Sequence, residues 1–173
     1  MARRFRRTRD GFDTRLDDLE AALLRDLAAD LLTLLDLDPT EGDEVLGRLF
    51  PDGYADDPAA AADLRELIQD DLRDRKRAAL RAISTSLADR DAKGRLTLDA
   101  ETAEDWLTGL NDLRLALGTR LGVTEQMYDD PPDDDVDEAS RHALEVYGWL
   151  GWLQEGLVDA LLRSLPGSGA GAP

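Results

Sequence analysis

Leucines recur at three- and four-residue intervals through four long stretches of this chain, with proline or glycine breaks between them. That period belongs to amphipathic helices rather than strands, so it confines the fold to a mainly α class. Aromatic residues are only 5% of the 173, so the core is expected to be built from Leu and Ala. The 42% hydrophobic fraction is enough for one packed core, and the length suits one domain better than two.

The first helix is expected over 17–37, with Asp17 or Asp18 as cap and Leu19, Leu23, Leu27, Leu31 and Leu34 as its apolar stripe. Pro39 follows it, and a short helical segment over 43–50 is broken by Pro51-Asp52-Gly53. A second long helix spans 58–88, opening on Pro58, with Leu64, Ile68, Leu72, Ala79, Ile83 and Leu87 at helical spacing. Its densely charged middle, Asp70 to Arg77, reads as a solvated face laced with salt bridges. A third major helix, 100–121, is capped by Asp99, lined by Trp106, Leu110, Leu113, Leu117 and Leu121, and closed by Gly122. The last helix covers 137–164 and ends at Pro166. An acidic loop, 123–137, contains two prolines and repelling carboxylates, and 166–173 reads as a flexible tail. The expected organisation is a single helical domain over 1–165.

The N-terminus departs from this pattern. Residues 3–16 read as a β-hairpin: Phe5 is the central aromatic of its first strand, Arg9-Asp10-Gly11 is a turn, and Phe12, Thr14 and Leu16 alternate with polar residues. Arg95 to Asp99 alternates too, as a third strand beside the hairpin or as an extended loop. The fold expected is therefore a four- to five-helix bundle with a small N-terminal β-hairpin and room for a third short strand.

Composition excludes several chemistries. The absence of cysteine rules out disulfides, thiolate metal sites and thiol catalysis within this chain, and the single histidine, His142, rules out a two-histidine zinc site. His142 has Asp137 and Glu138 nearby and reads as a surface residue. Asp89 to Thr97 resembles the start of an EF-hand loop, with acids at positions one and three, glycine at six and an aliphatic residue at eight. Lys93 then stands at position five and Ala100 at position twelve, where oxygen ligands are needed, and Glu101 is one residue late. Carboxylate pairs such as Glu101 with Asp105 recur throughout so acidic a chain and mark no catalytic site. No metal, no cofactor and no enzymatic activity are expected. No stretch of about 18 apolar residues exists, and the basic start leads into no apolar run, so neither a membrane span nor a secretory leader is expected and the chain reads as cytoplasmic.

Lys and Arg total 21 against 38 Asp and Glu, a formal net charge of −17. Arg3, Arg4, Arg6 and Arg7, joined by Arg9, form the one strong basic patch. They read either as a contact for phosphate or an acidic protein surface, or as guards of an edge strand that bridge to the protein's own carboxylates. Autonomous DNA binding is not expected, because a duplex would meet strong overall repulsion. In the last helix, Ala143, Val146, Tyr147, Leu150, Leu157 and Leu161 make one stripe, and Trp149 and Trp152 fall away from it. Two such tryptophans need a covering surface, either internal, with the hairpin over a helix buried on two sides, or an external partner. Gly148 and Gly151 allow close approach of a neighbour.

Three stretches together resemble one family: Arg3-Arg4-Phe5-Arg6-Arg7-Thr8-Arg9; Leu49-Phe50-Pro51 leading into Asp56-Asp57-Pro58; and Leu110 to Gly122, which reads Leu-Asn-Asp-Leu-Arg-Leu-Ala-Leu-Gly-Thr-Arg-Leu-Gly. The chain is similar to an actinobacterial domain-of-unknown-function family that includes the oxidative-stress regulator AosR. The resemblance implies a non-enzymatic regulator of transcription that acts by binding other proteins, with a sigma factor or RNA polymerase as partner. The alternative is a scaffold or a proteolysis-associated adaptor. Redox sensing in the family is tied to a closely spaced cysteine pair, which this chain lacks. Asn111, Arg114 and Arg120 lie in the most specific stretch. They stand either as partner anchors or as structural residues, the arginines reaching over the core edge to acids of the second long helix. The acidic balance favours a basic partner.

Overall fold

The computed structural model describes residues 3–37, 43–51, 58–123 and 137–164, with nothing described of the side chains of 58–69. The acidic loop between 123 and 137, the tail 166–173, the breaks at Pro39 and Asp52-Gly53, and the Leu64 and Ile68 side chains fall outside the described residues. The elements in order are β1 (Arg3–Arg7), β2 (Phe12–Arg15), α1 (Asp18–Asp36), α2 (Glu44–Leu49), α3 (Pro58–Ala88), β3 (Arg95–Leu98), α4 (Ala100–Arg120) and α5 (Glu138–Leu162). This is the mainly helical fold expected, with a small antiparallel sheet. Residues 95–98 resolve as a strand: the sheet order is β1-β2-β3, so β1 and β3 are its edges.

The acidic composition is used to start helices. Asp17 forms a capping box with Glu20, and Asp43, Asp99 and Asp137 each accept a backbone N–H from three residues on. Two glycines make the sheet connections possible. Gly11, at φ 143°, and Gly94, at φ 75°, sit against the backbone carbonyls of Leu98 and Leu16, where a Cβ has no room.

The core is Leu- and Ala-built, with Trp106 fully buried at its centre and Phe5 of β1 edge-on to it, ring centroids 5.7 Å apart. Helix α4 packs against α2, α3 and α5, α1 lies on α3, and β1 lies on α5. The α1 stripe differs from expectation. Ala21, Leu24, Ala28, Leu31 and Leu35 are buried, Leu23, Leu27 and Leu34 only partly, and Leu19 is 84% exposed. Leucine surrounds this helix, so leucine spacing alone does not fix its inner face. The small Ala21 and Ala28 let the backbone approach its neighbours and decide the rotation.

The charged middle of α3 also differs. Asp70, Asp71, Asp74 and Arg75 are exposed as a solvated face requires, but three cations turn inward. Arg73 and Arg77 donate to the Leu35 carbonyl at the C-terminal end of α1, each at 3.0 Å, and Arg77 also pairs with Asp36. The last turn of α1 has no basic residue of its own, so α3 supplies the charge that its carbonyls favour. Lys76 is buried and reaches Asp112 of α4 at 2.7 Å. Burial holds the Asp112 carboxyl above the ordinary carboxylate range, against the pull of the Lys76 ammonium.

Two outcomes are expected. Lys76→Ala or Asp112→Ala, read by denaturant melts, loses about 3–5 kcal/mol because an unpaired charge is left in the core. The double substitution Lys76→Met with Asp112→Leu recovers most of that loss; a double variant as unstable as either single one contradicts the account. Backbone and side-chain hydrogen bonds from Thr102 hold the Asp99 carboxyl below its usual value. The stabilisation is therefore present above about pH 4 and lost as pH falls through the lower native value. Asp99→Asn, which keeps an accepting oxygen but does not titrate, is expected to show a shallower fall of Tm between pH 5 and pH 2, a range chosen to span the usual Asp value of about 3.9.

Candidate functional site

Strand β1 carries arginine at every position except Phe5, the one buried residue of the five. Its seat is Gly156 of α5. A Cβ there would stand 3.3 Å from the Phe5 backbone nitrogen and 3.1 Å from Arg4 Cγ, so glycine lets the strand lie directly on the helix. Arg4 then reaches Glu155 at 3.2 Å and Asp159 at 3.6 Å. Arg7 lies over the Phe12 ring, 5.2 Å from its centroid, and donates to the Thr8 and Gly11 carbonyls of the turn. Arg3 and Arg6 are exposed and have no side-chain partner among the described residues. The patch therefore divides: Arg4 bridges to the protein's own carboxylates, Arg7 closes the hairpin, and Arg3 and Arg6 face solvent.

A second cluster forms where α4 crosses α5. Arg114 donates to Gln154 Oε1 at 2.8 Å, stacks over the Tyr147 ring at 5.1 Å, and lies against Gly151, whose missing side chain leaves it room. Gln154 in turn donates to Asn111 Oδ1 at 3.4 Å. Of the two expectations for Arg114, a partner anchor or a pairing with acids of the second long helix, the second differs from the structure in its partner: Arg114 turns to α5, the helix on its side of α4. Arg120 is exposed and has no ion-pair partner among the described residues. Arg4 and Arg114 line one depression of about 430 Å³ together with Gln154, Glu155 and Asp159. The fold thus brings Arg4, Asn111 and Arg114 together over α5 and leaves Arg120 apart.

Helix α5 is covered by α4 and by β1. Trp149 and Trp152 are partly buried and packed against the core, and the Trp149 indole N–H is buried without a hydrogen-bond acceptor among the described residues. Gly151 is closely approached, by Arg114, whereas a Cβ at Gly148 would meet nothing within 4 Å among the described residues. His142 is exposed, with Glu145 3.8 Å away. In the EF-hand-like segment, Asp91 accepts the backbone N–H of Lys93 and of Arg95, each at 2.8 Å, so its oxygen shapes the turn into β3. No group of three His, Asp or Glu side chains that could hold a metal occurs among the described residues. None of the described helices is long and apolar enough to cross a membrane.

The roles of Tyr147, Gln154 and Glu155, and the Lys76–Asp112 pair, are absent from the sequence reading. Glutamine and tyrosine on a helix give no pattern, and only the packing of α5 on α4 makes them partners of Arg114.

Residues 2–161 match the model of a family described as a domain of unknown function, DUF2017. The chain belongs to the DUF2017 family. It is 34% identical over 201 aligned residues to the oxidative stress regulator AosR of Mycobacterium bovis, an alignment covering 95% of this chain and 90% of that protein. The same identity and coverage hold for AosR of Mycobacterium tuberculosis strain H37Rv. A protein of Mycobacterium leprae is 37% identical over 139 residues, which cover 70% of this chain and 60% of its own length. No solved structure matches. The arginine-rich first strand and the α4 stretch carrying Asn111, Arg114 and Arg120 both lie within the DUF2017 match.

The two arginines of α4 separate in a stability test. Arg114→Ala is expected to lose roughly 1–2 kcal/mol through the ring stack and its packing. Arg120→Ala is expected to stay within about 0.5 kcal/mol of the parent. Equal melting temperatures for the two variants would contradict the geometry.

Proposed function

We propose that this DUF2017 protein is a non-enzymatic regulator that acts in the cytoplasm by binding another protein, in the control of transcription, with a sigma factor or RNA polymerase as its partner. The observation that carries this reading is the similarity over 95% of the chain to proteins named oxidative stress regulators. A basic outer strand on a chain of net charge −17 supports it, since so uneven a distribution steers and orients a charged protein partner. With no cysteine in the sequence, the regulatory input to this chain is not its own thiol chemistry.

Affinity capture from a lysate of the source cells at two salt concentrations tests the reading. Recovery of a sigma factor or polymerase, reduced at the higher salt, is the expected result. Recovery of protease components without any transcription protein favours an adaptor and overturns it. Tight binding to naked DNA that survives moderate salt overturns it as well, because a duplex held that way needs a cationic surface larger than one strand.

A further inference from the structure

The outer face of the small sheet has an arrangement that the packing does not explain. Strand β2 buries Phe12 and Thr14, and β3 buries Leu96 and Leu98. Side-chain alternation therefore sends Asp13, Arg15, Arg95 and Thr97 to the opposite face. The register places Arg3 opposite Arg15 and Arg15 opposite Arg95, so three arginines stand side by side across all three strands. Arg6 is opposite Asp13, which is opposite Thr97, in the next row. Like charges directly opposite one another destabilise a sheet, and any neutral β-forming residue at these positions would remove that cost. Arg95 is compensated by Asp13, but exposed Arg3 beside half-buried Arg15 breaks this local rule without such a pairing, which points to function.

The carboxylates nearby are already engaged. Asp13 accepts from the Arg95 guanidinium and, at 2.9 Å, from the Thr97 hydroxyl. Asp91 lies near Arg15 and Arg95, and the backbone N–H groups of Lys93 and Arg95 hold its Oδ1. Arg4 is turned toward Glu155 and Asp159. Arg3 and Arg6 are left without a side-chain partner among the described residues, and the side chain of Arg15, whose charge is felt by Asp91, makes no hydrogen bond or ion pair with any of them; the three surround a concavity of about 300 Å³ that Asp13 and Arg95 also line.

We propose that this face, with Arg3, Arg15 and Arg6 as anchors, is a docking site for a short carboxylate-rich segment of a partner protein. Guanidinium groups bind carboxylates through paired N–H donors, and side-by-side arginines match the acids of an extended or helical acidic segment. Strands lie about 4.8 Å apart, so the row spans only about 10 Å. A short peptide ends within that patch. A nucleic acid runs beyond it and meets the repulsion of a chain at −17. The proposal depends on the functional reading above only in taking the partner to be a protein, and purified components test it without reference to transcription.

The probe is a fluorescein-labelled Glu-Val-Glu peptide, whose two side-chain carboxylates lie about 7 Å apart when extended, titrated with the full-length protein and read by fluorescence anisotropy at low salt. A Lys-Val peptide and a 20-nucleotide single strand serve as comparisons. Binding of the acidic peptide, weakened at least tenfold by Arg3→Thr with Arg15→Thr, is expected. Arg75→Ser with Arg81→Ser, which removes two exposed cations from α3, is expected to leave it unchanged. The Arg3/Arg15 variant should also melt no lower than the parent, since a like-charged row has been removed, which separates loss of binding from loss of fold. Equal affinity of parent and Arg3/Arg15 variant overturns the proposal, as does equal weakening by both double variants or tighter binding of the oligonucleotide than of the peptide. Peptide binding at this face in a protein that captures no transcription component sinks only the functional reading.

Discussion

The buried pair between Lys76 and Asp112 sets the relation of α3 to α4, and most of the molecule is arranged around it. Asp112 is almost wholly inaccessible and one of its oxygens has no partner among the described residues, so its charge is tolerated only while the Lys76 ammonium stays in place. That geometry fixes the rotation of α3 as well as its position. Arg73 and Arg77, three residues before Lys76 and one after it, then fall over the end of α1. Arg73 and Lys76 also stand over the Phe50 ring at 5.5 Å and 5.8 Å, which ties in the end of α2. A short charged stretch therefore organises three neighbouring helices, with Arg73, Lys76 and Arg77 turned inward and its acids outward.

The sheet depends on the bundle and in turn shapes the surface. A hairpin alone is marginal in water, and β3 and the helices beneath supply what it needs. Here Phe5 reaches Trp106 in the core, Gly156 admits β1 onto α5, and Arg90 donates to the Leu16 carbonyl at 2.7 Å where β2 passes into α1. With one sheet face buried by these contacts, alternation leaves the other face to the charged residues. Where Phe5, Phe12, Leu96 and Leu98 must go thus decides which face these arginines occupy, but not that the face carries arginine.

The two polar clusters differ in what they do for the molecule. Arg114, Tyr147, Gln154 and Asn111 join α4 to α5, and the guanidinium lies on Gly151 as part of the packing. The side chains of Arg3, Arg6 and Arg15 make no hydrogen bond or ion pair among the described residues. The same residue type serves as mortar in one place and as surface in another, and the hydrogen-bond partners of its side chain separate the two uses.

The sequence by itself determined the kind and order of the elements. Leucine periodicity, aspartate caps, and the Pro and Gly breaks are local, and each acts within a few residues of the chain; helix ends at Asp17, Asp99 and Asp137 and the hairpin turn at Gly11 follow from them. Which face of a leucine-rich helix turns inward is not local. On α1, Leu19 is exposed and Leu24 buried because neighbouring helices select the face where alanines allow the closest approach. Only the tertiary structure decided the fate of the charges. Lys76 meets Asp112 across 36 residues, Arg114 meets Gln154 across 40, and Arg95 meets Asp13 across 82. An ion pair needs two side chains within about 4 Å, and in so acidic a chain every arginine has many candidate partners. Packing of apolar surface chooses among them, and it also leaves Arg3, Arg6 and Arg15 with none among the described residues.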